Sequence, residues 1–161
     1  MAKKKKPNDL YREKPKHPNQ YIYLTLDLPP SQNHMFIHTK RGAKILTKKA
    51  KEYVENARKI IRSEIQEQEW IQEKNPVWYY VDLFIYMPDR RVRDSHNMEK
   101  LLLDIFEGLI YVNDYYAMPR IQLVEYDKEN PRLETLIRPQ SEVERERIKG
   151  DIKKYKKEPH K

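Results

Sequence analysis

Asp94, His96, Asn97, Lys100, Asp104 and Asp114 all fall between positions 94 and 114. Carboxylates are hard oxygen donors that suit a divalent cation. Two such groups with a Lys beside them suit an ion held next to a phosphate. The ion would stabilise developing charge and activate water, and the Lys would neutralise a non-bridging oxygen. The same residues have plainer uses. Asp94 can cap a helix, Asp104 can pair with Lys100 one turn away, and Asp114 can make a turn. Spacing alone leaves both readings open.

These residues need elements to position them. Residues 21–28 alternate, with Ile22, Leu24, Leu26 and Leu28 on one side, which reads as a half-buried strand ended by Pro29-Pro30. Met35 to Leu46 suits a hairpin turning at Lys40-Arg41-Gly42. Thr47 can cap a helix running to about Trp70, with Ala50, Tyr53, Val54, Ala57, Ile60, Ile61 and Ile65 on one face. A second strand is expected over Val77–Met87 and a loop over Pro88–Asp94. The next helix is expected to be capped by Asp94 or Ser95 and to bury Met98, Leu101, Leu102, Ile105, Phe106 and Leu109. Gly108 sits near its end. That helix N-terminus would offer amides and partial positive charge to an anion. Strands over about Arg120–Tyr126 and Leu133–Ile137 flank a turn at Asp127–Pro131, and Ser141…Glu144 opens a thin, solvated helix. The sum is an α+β fold in one domain. Its parts are a basic disordered arm (1–20), a folded body (21–138) and a basic tail (139–161) of helical character.

Composition narrows the chemistry. The 161 residues contain no Cys, which excludes disulfides, Cys-ligated metals and a thiol nucleophile. Only Gly42, Gly108 and Gly150 are present, too dispersed for a phosphate-binding glycine loop, so no nucleotide cofactor is expected. No apolar stretch approaches the ~18 residues that a membrane-spanning helix needs. His34 and His38 lie four apart but lack a second ligand pair of zinc-site type.

The net charge of +8 is unevenly placed: +5 in residues 1–20, +4 in residues 138–161 and −1 between them. Basic arms suit a partner rich in phosphates, or serve only as solvated tails. Within the body, Lys40, Arg41, Lys44, Lys48, Lys49 and Lys51 form one cluster, and Arg90, Arg91 and Arg93 form another beside Asp94. Tyr115 and Tyr116 adjoin Asp114 and are candidates for base stacking.

Taken in order, Pro29-Pro30-Ser31…Asn33, then Met87-Pro88-Asp89-Arg90-Arg91, then Arg93-Asp94-x-x-Asn97-x-x-Lys100-x-x-x-Asp104, and finally Tyr111-Val112-Asn113-Asp114, resemble the RusA family of Holliday-junction resolvases. The resemblance covers roughly residues 22–137. It implies a small mixed β-sheet packed by two main helices. It implies a homodimeric endodeoxyribonuclease that binds four-way or branched DNA and cuts two opposed strands with Mg²⁺ or Mn²⁺, in the cytoplasm of a bacterial or phage-infected cell. Asp94 and Asp114 match the family's metal-binding positions, and Lys100 its essential Lys. Asn97 and Asp104 match positions typical of the motif. Arg90, Arg91, Arg93, Asn33 and Asn97 are the expected DNA contacts. His96 stands where the family has a second Asp, and Asn113 where it often has another. Imidazole suits Mn²⁺ better than Mg²⁺. His96 is therefore a third ligand, a base, a bystander or the mark of a catalytically weakened DNA-binding protein of the same fold.

Overall fold

The structure, a computed structural model, describes residues 13–91 and 95–157. In chain order the elements are β1 (Ile22–Leu26), α1 (Gln32–Met35), β2 (Phe36–His38), β3 (Lys44–Leu46), α2 (Lys48–Glu67) and β4 (Tyr79–Met87). A 3₁₀ turn (Ser95–Met98), α3 (Glu99–Phe106), a second 3₁₀ turn (Asp114–Tyr116), β5 (Ala117–Tyr126), β6 (Arg132–Pro139) and α4 (Glu142–Tyr155) follow. The main sheet is mixed, in the order β1-β6-β4-β5, and a small β2-β3 sheet stands apart. This is the expected α+β architecture.

Alternation decides which sheet face meets the helices. Ile22, Leu24 and Leu26 of β1 are buried, and they pair with Ile137, Thr135 and Leu133 of β6. Val81, Leu83 and Ile85 continue that face on β4. The buried stripe of α3 (Leu101, Leu102, Ile105, Phe106) and Ala57 and Ile61 of α2 close over it. β1 is an edge strand, and the Gln68 side chain partly covers it: its Nε2 donates to the Tyr23 carbonyl at 2.7 Å and its Oε1 accepts from the Tyr23 amide at 2.9 Å. Unpaired strand edges are otherwise templates for aggregation.

The parallel β4–β5 pair requires a crossover, which the segment containing α3 supplies. A bulge between Leu83 and Phe84 leaves Gln122 without a ladder partner. Its amide donates to Asp82 Oδ1 at 3.0 Å, while Arg120 forks onto both Asp82 oxygens at 2.6 and 2.7 Å. Asp82 is buried, so this bidentate pair supplies the partner that a carboxylate inside the fold needs.

Several expectations need correction at element ends. α2 stops at Glu67 rather than near Trp70, because Glu69 turns left-handed (φ 54°) and sends the chain back. Trp70 is then buried and its indole donates to the Ile110 carbonyl at 3.0 Å. α3 starts at Glu99 rather than just after Ser95, and Asp94 lies outside the described residues. Ser95-His96-Asn97-Met98 winds as a 3₁₀ turn, and α3 follows Met98, which makes no side-chain cap. Ser, His and Asn are weak helix-interior formers and tolerate the tighter turn. Residues 13–20, inside the expected arm, dock on the body: the Glu13 amide donates to the Pro76 carbonyl and the His17 amide to Glu73, both at 2.7 Å. Leu109, expected in the buried stripe of α3, lies past its end and is half-buried, and Ile60 of α2 is exposed. The other capping and turn signals hold. Thr47 accepts from the Ala50 amide, Ser141 accepts from the Glu144 amide, and the β2–β3 hairpin turns through Gly42 at φ +80°.

Gly108 ends the α3 region at φ +78°, with nothing within 4 Å of where a Cβ would stand. Its replacement therefore tests backbone conformation alone. Gly108→Ala should lower the unfolding free energy by about 1–2 kcal/mol, the left-handed penalty for an L-residue. Urea denaturation measures it; a loss below about 0.5 kcal/mol, the scale of neutral surface changes, would show that the turn relaxes without strain.

Candidate active site

The turn after α3 is held from several sides. Tyr111 is fully buried and its hydroxyl donates to the Leu103 carbonyl at 3.0 Å. The Gly108 amide donates to the Tyr111 carbonyl at 2.8 Å, and Trp70 holds Ile110 from α2's side. Asn113 then caps the second 3₁₀ turn by accepting from the Tyr115 amide at 2.8 Å. The Asp114 amide donates to Glu107 Oε2 at 2.9 Å. Each of these bonds fixes where the Asp114 carboxylate can go.

That carboxylate reaches Lys100. The ammonium donates to Asp104 Oδ1 at 2.8 Å and to Asp114 Oδ2 at 3.2 Å. Asp104 lies one turn along α3, whereas Asp114 returns from beyond the helix. Arg58 of α2 donates to the Asp104 carbonyl at 3.3 Å, which brings a second cation to the place. The two carboxylates raise the Lys100 pKa, Asp104 first and Asp114 second. Lys100 is therefore a fixed positive charge across the physiological range. Burial raises the Tyr111 hydroxyl far above the ordinary tyrosine range, and Asp114, Glu107 and Asp104 raise it further. Tyr111 thus stays a neutral donor under an acidic surface.

Exposed ion pairs contribute only roughly 0–1 kcal/mol each to stability. The Lys100 side chain is 73% exposed. Stability therefore gives little reason to gather these charges. A cation seated between two carboxylates marks a place where hard oxygen donors converge. Carboxylate oxygens are the donors that a hard divalent cation takes. Among the described residues, no three or more His, Asp or Glu side chains stand grouped as metal ligands.

The remaining sequence candidates distribute as follows. Asp94 and Arg93 lie outside the described residues. His96 is on the 3₁₀ turn, exposed, with its Nδ1 3.1 Å from Glu99 Oε1. Asn97 is on the same turn and Asn33 on α1. Arg90 is exposed, with its guanidinium 5.3 Å from the centre of the Tyr126 ring. The Arg91 amide donates to Asp89 at 3.0 Å. Three residues not singled out from the sequence join the site's surroundings. Glu107 and Arg58 make the bonds given above. Trp78 packs on Tyr115 and Tyr116, with ring centres 5.7 and 5.5 Å apart, to form an aromatic group beside Asp114. The tyrosine pair was a sequence signal; Glu107 had none apart from its charge.

The geometry predicts how Lys100 titrates. Asp104→Asn removes the carboxylate that raises it most, so the Lys100 ammonium should lose its proton at lower pH than in the wild type. An NMR titration of the Lys100 side-chain nitrogen measures this. An unmoved midpoint would show that Asp104 does not hold the ammonium in solution.

Comparison with known proteins supplies a family. The sequence profile described as Endodeoxyribonuclease RusA matches residues 27–138, which contain β4, α3, Lys100, Asp104 and Asp114. No curated protein matches the chain significantly.

Proposed function

The chain belongs to the RusA family of endodeoxyribonucleases, hydrolases that cut phosphodiester bonds at Holliday junctions, and on that premise we propose that Lys100, Asp114 and Asp94 form its hydrolytic centre. The observation that carries this reading is the convergence of Asp104 and Asp114 on Lys100 from two separate segments. Lys100 neutralises a non-bridging oxygen of the scissile phosphate as charge builds there. Asp104 is a positioning residue that aims the ammonium, and Glu107 positions Asp114 through its amide. Asp94 and Asp114 would hold a divalent ion, with His96 as a third donor favouring Mn²⁺, and the bound ion would supply an activated water and charge stabilisation. Arg90, Arg91, Arg93, Asn33, Asn97 and the basic tails grip the DNA around this centre, mainly through phosphates.

A four-way junction has approximate two-fold symmetry, so paired incisions call for two copies of the site related by that axis. The sheet face turned away from α2 and α3 carries the half-buried Phe84, Leu123 and Leu136, which supports a homodimer. Among the described residues, no helix is long and apolar enough to cross a membrane. A nuclease acting on DNA intermediates fits the cytoplasm of a bacterial or phage-infected cell. His96 at the family's Asp position favours one other reading, a junction-binding protein with weakened catalysis, and strand nicking separates the two.

Cleavage of a synthetic four-way junction tests the assignment. Asp114→Asn, Asp94→Asn and Lys100→Met should each slow cleavage by roughly 100-fold or more, the usual cost of removing one transition-state charge contact. Junction binding should persist through the remaining basic residues. Any of these variants cutting near the wild-type rate would remove its residue from the centre. Light scattering at micromolar concentration should give twice the chain mass, and a monomeric mass both with and without junction DNA would contradict the paired-site mechanism.

A further inference from the structure

Beside Lys100 lies an apolar cavity of about 330 Å³ between the β2–β3 hairpin, α2 and α3. Phe36, Val54, Leu101 and Ile105 contribute apolar wall, while Lys100, Arg58 and Asp104 contribute its polar part. Lys100 is exposed, so the cavity meets the surface at the proposed scissile phosphate. We propose that it receives one nucleobase that has left the stack next to that phosphate. This rests on the nuclease reading for the position of the phosphate.

The shape and charge of the surroundings favour a nucleotide over other occupants. The volume lies at the lower end of the roughly 300–1,000 Å³ typical of small-molecule sites. An aromatic ring in the wall gives a base a stacking surface that tolerates any sequence. Cations beside it match the phosphate attached to that base. Lys44 Nζ lies 4.1 Å from the centre of the Phe36 ring, so positive charge stands at the aromatic wall itself. The exposed Lys40, Arg41, Lys48, Lys49 and Lys51 lie on the same hairpin and the start of α2. This basic cluster, which the hydrolytic centre does not use, thereby gains a role: it tracks the strand whose base is inserted. Unstacking costs least where pairing is already interrupted, as at a branch point. The cavity therefore links branch recognition to the placement of the phosphate on Lys100.

The test uses the full-length protein and four-way junctions that differ only in one abasic nucleotide, moved through the positions flanking the cut. Binding is measured by fluorescence anisotropy in EDTA, so it does not depend on cleavage. In the wild type, an abasic residue at one position should weaken binding about tenfold, within the range that base–aromatic stacking supplies. In Val54→Trp, which fills the cavity, and in Phe36→Ala, which removes its aromatic wall, the same abasic residue should cost less than about twofold, because the stacking partner is gone. The half-buried Phe36 on the short hairpin provides the second variant should Val54→Trp not fold. Equal abasic losses at every position in the wild type, or undiminished position-specific losses in the variants, would overturn the proposal. A protein that cuts junctions without this coupling refutes the base site alone. Coupling in a protein that cuts no junction keeps the base site and refutes the nuclease reading.

Discussion

The Lys100 ammonium bridging Asp104 and Asp114 is the contact on which the rest of the site depends. One carboxylate comes with the helix and needs only the i, i+4 spacing. The other must be delivered by a chain that has left α3, turned and come back. That delivery explains why so many buried bonds cluster in a short turn. Tyr111 anchors to Leu103, Trp70 to Ile110, and Glu107 takes the Asp114 amide. The bridge itself is exposed and adds little to stability, so its precision is borrowed from the buried aromatic groups beneath it.

The fold supplies this arrangement through one topological requirement. Pairing β4 with β5 in parallel forces a crossover, and α3 fills it. The helix packs its apolar stripe on the sheet and leaves Lys100 and Asp104 on the outward side. The same packing sets α3 beside α2, which brings Arg58 to Asp104 and opens the cavity against Phe36 and Val54. The Asp82–Arg120–Gln122 cluster on the other sheet face secures the β4–β5 register across the bulge. The residues of the proposed hydrolytic centre and the cavity thus share one scaffold.

Much of this was legible in the sequence because the signals were strong and local. Alternation in β1, the Thr47 and Ser141 caps, and the α3 stripe each follow from side-chain periodicity or a short hydrogen-bond motif. Lys100 and Asp104 announced themselves by spacing, and Asp114 by its place just after the helix; the resemblance to the family then matched Lys100 and Asp114 to site positions. What stayed hidden depends on contacts distant in sequence. Arg58 reaches Asp104 across 46 positions, and Trp78 finds Tyr115 only through the sheet. The 3₁₀ start of α3 was hidden for a different reason. Ser and Asn there are capping types whose weak helix preference does not distinguish a cap from a tightened turn. Glu69's left-handed turn was equally silent, since a non-glycine residue in that conformation is imposed by the burial of Trp70 rather than by its own type.

The proposal stands or falls on Asp114, beside Lys100, sharing a divalent ion with Asp94 for phosphodiester hydrolysis. Anomalous diffraction from crystals of the protein soaked in Mn²⁺ tests it most directly. The account predicts a manganese peak bonded to the Asp114 carboxylate, lost in Asp114→Asn crystals treated alike. A peak elsewhere, or none at Asp114 in well-ordered wild-type crystals, would contradict it.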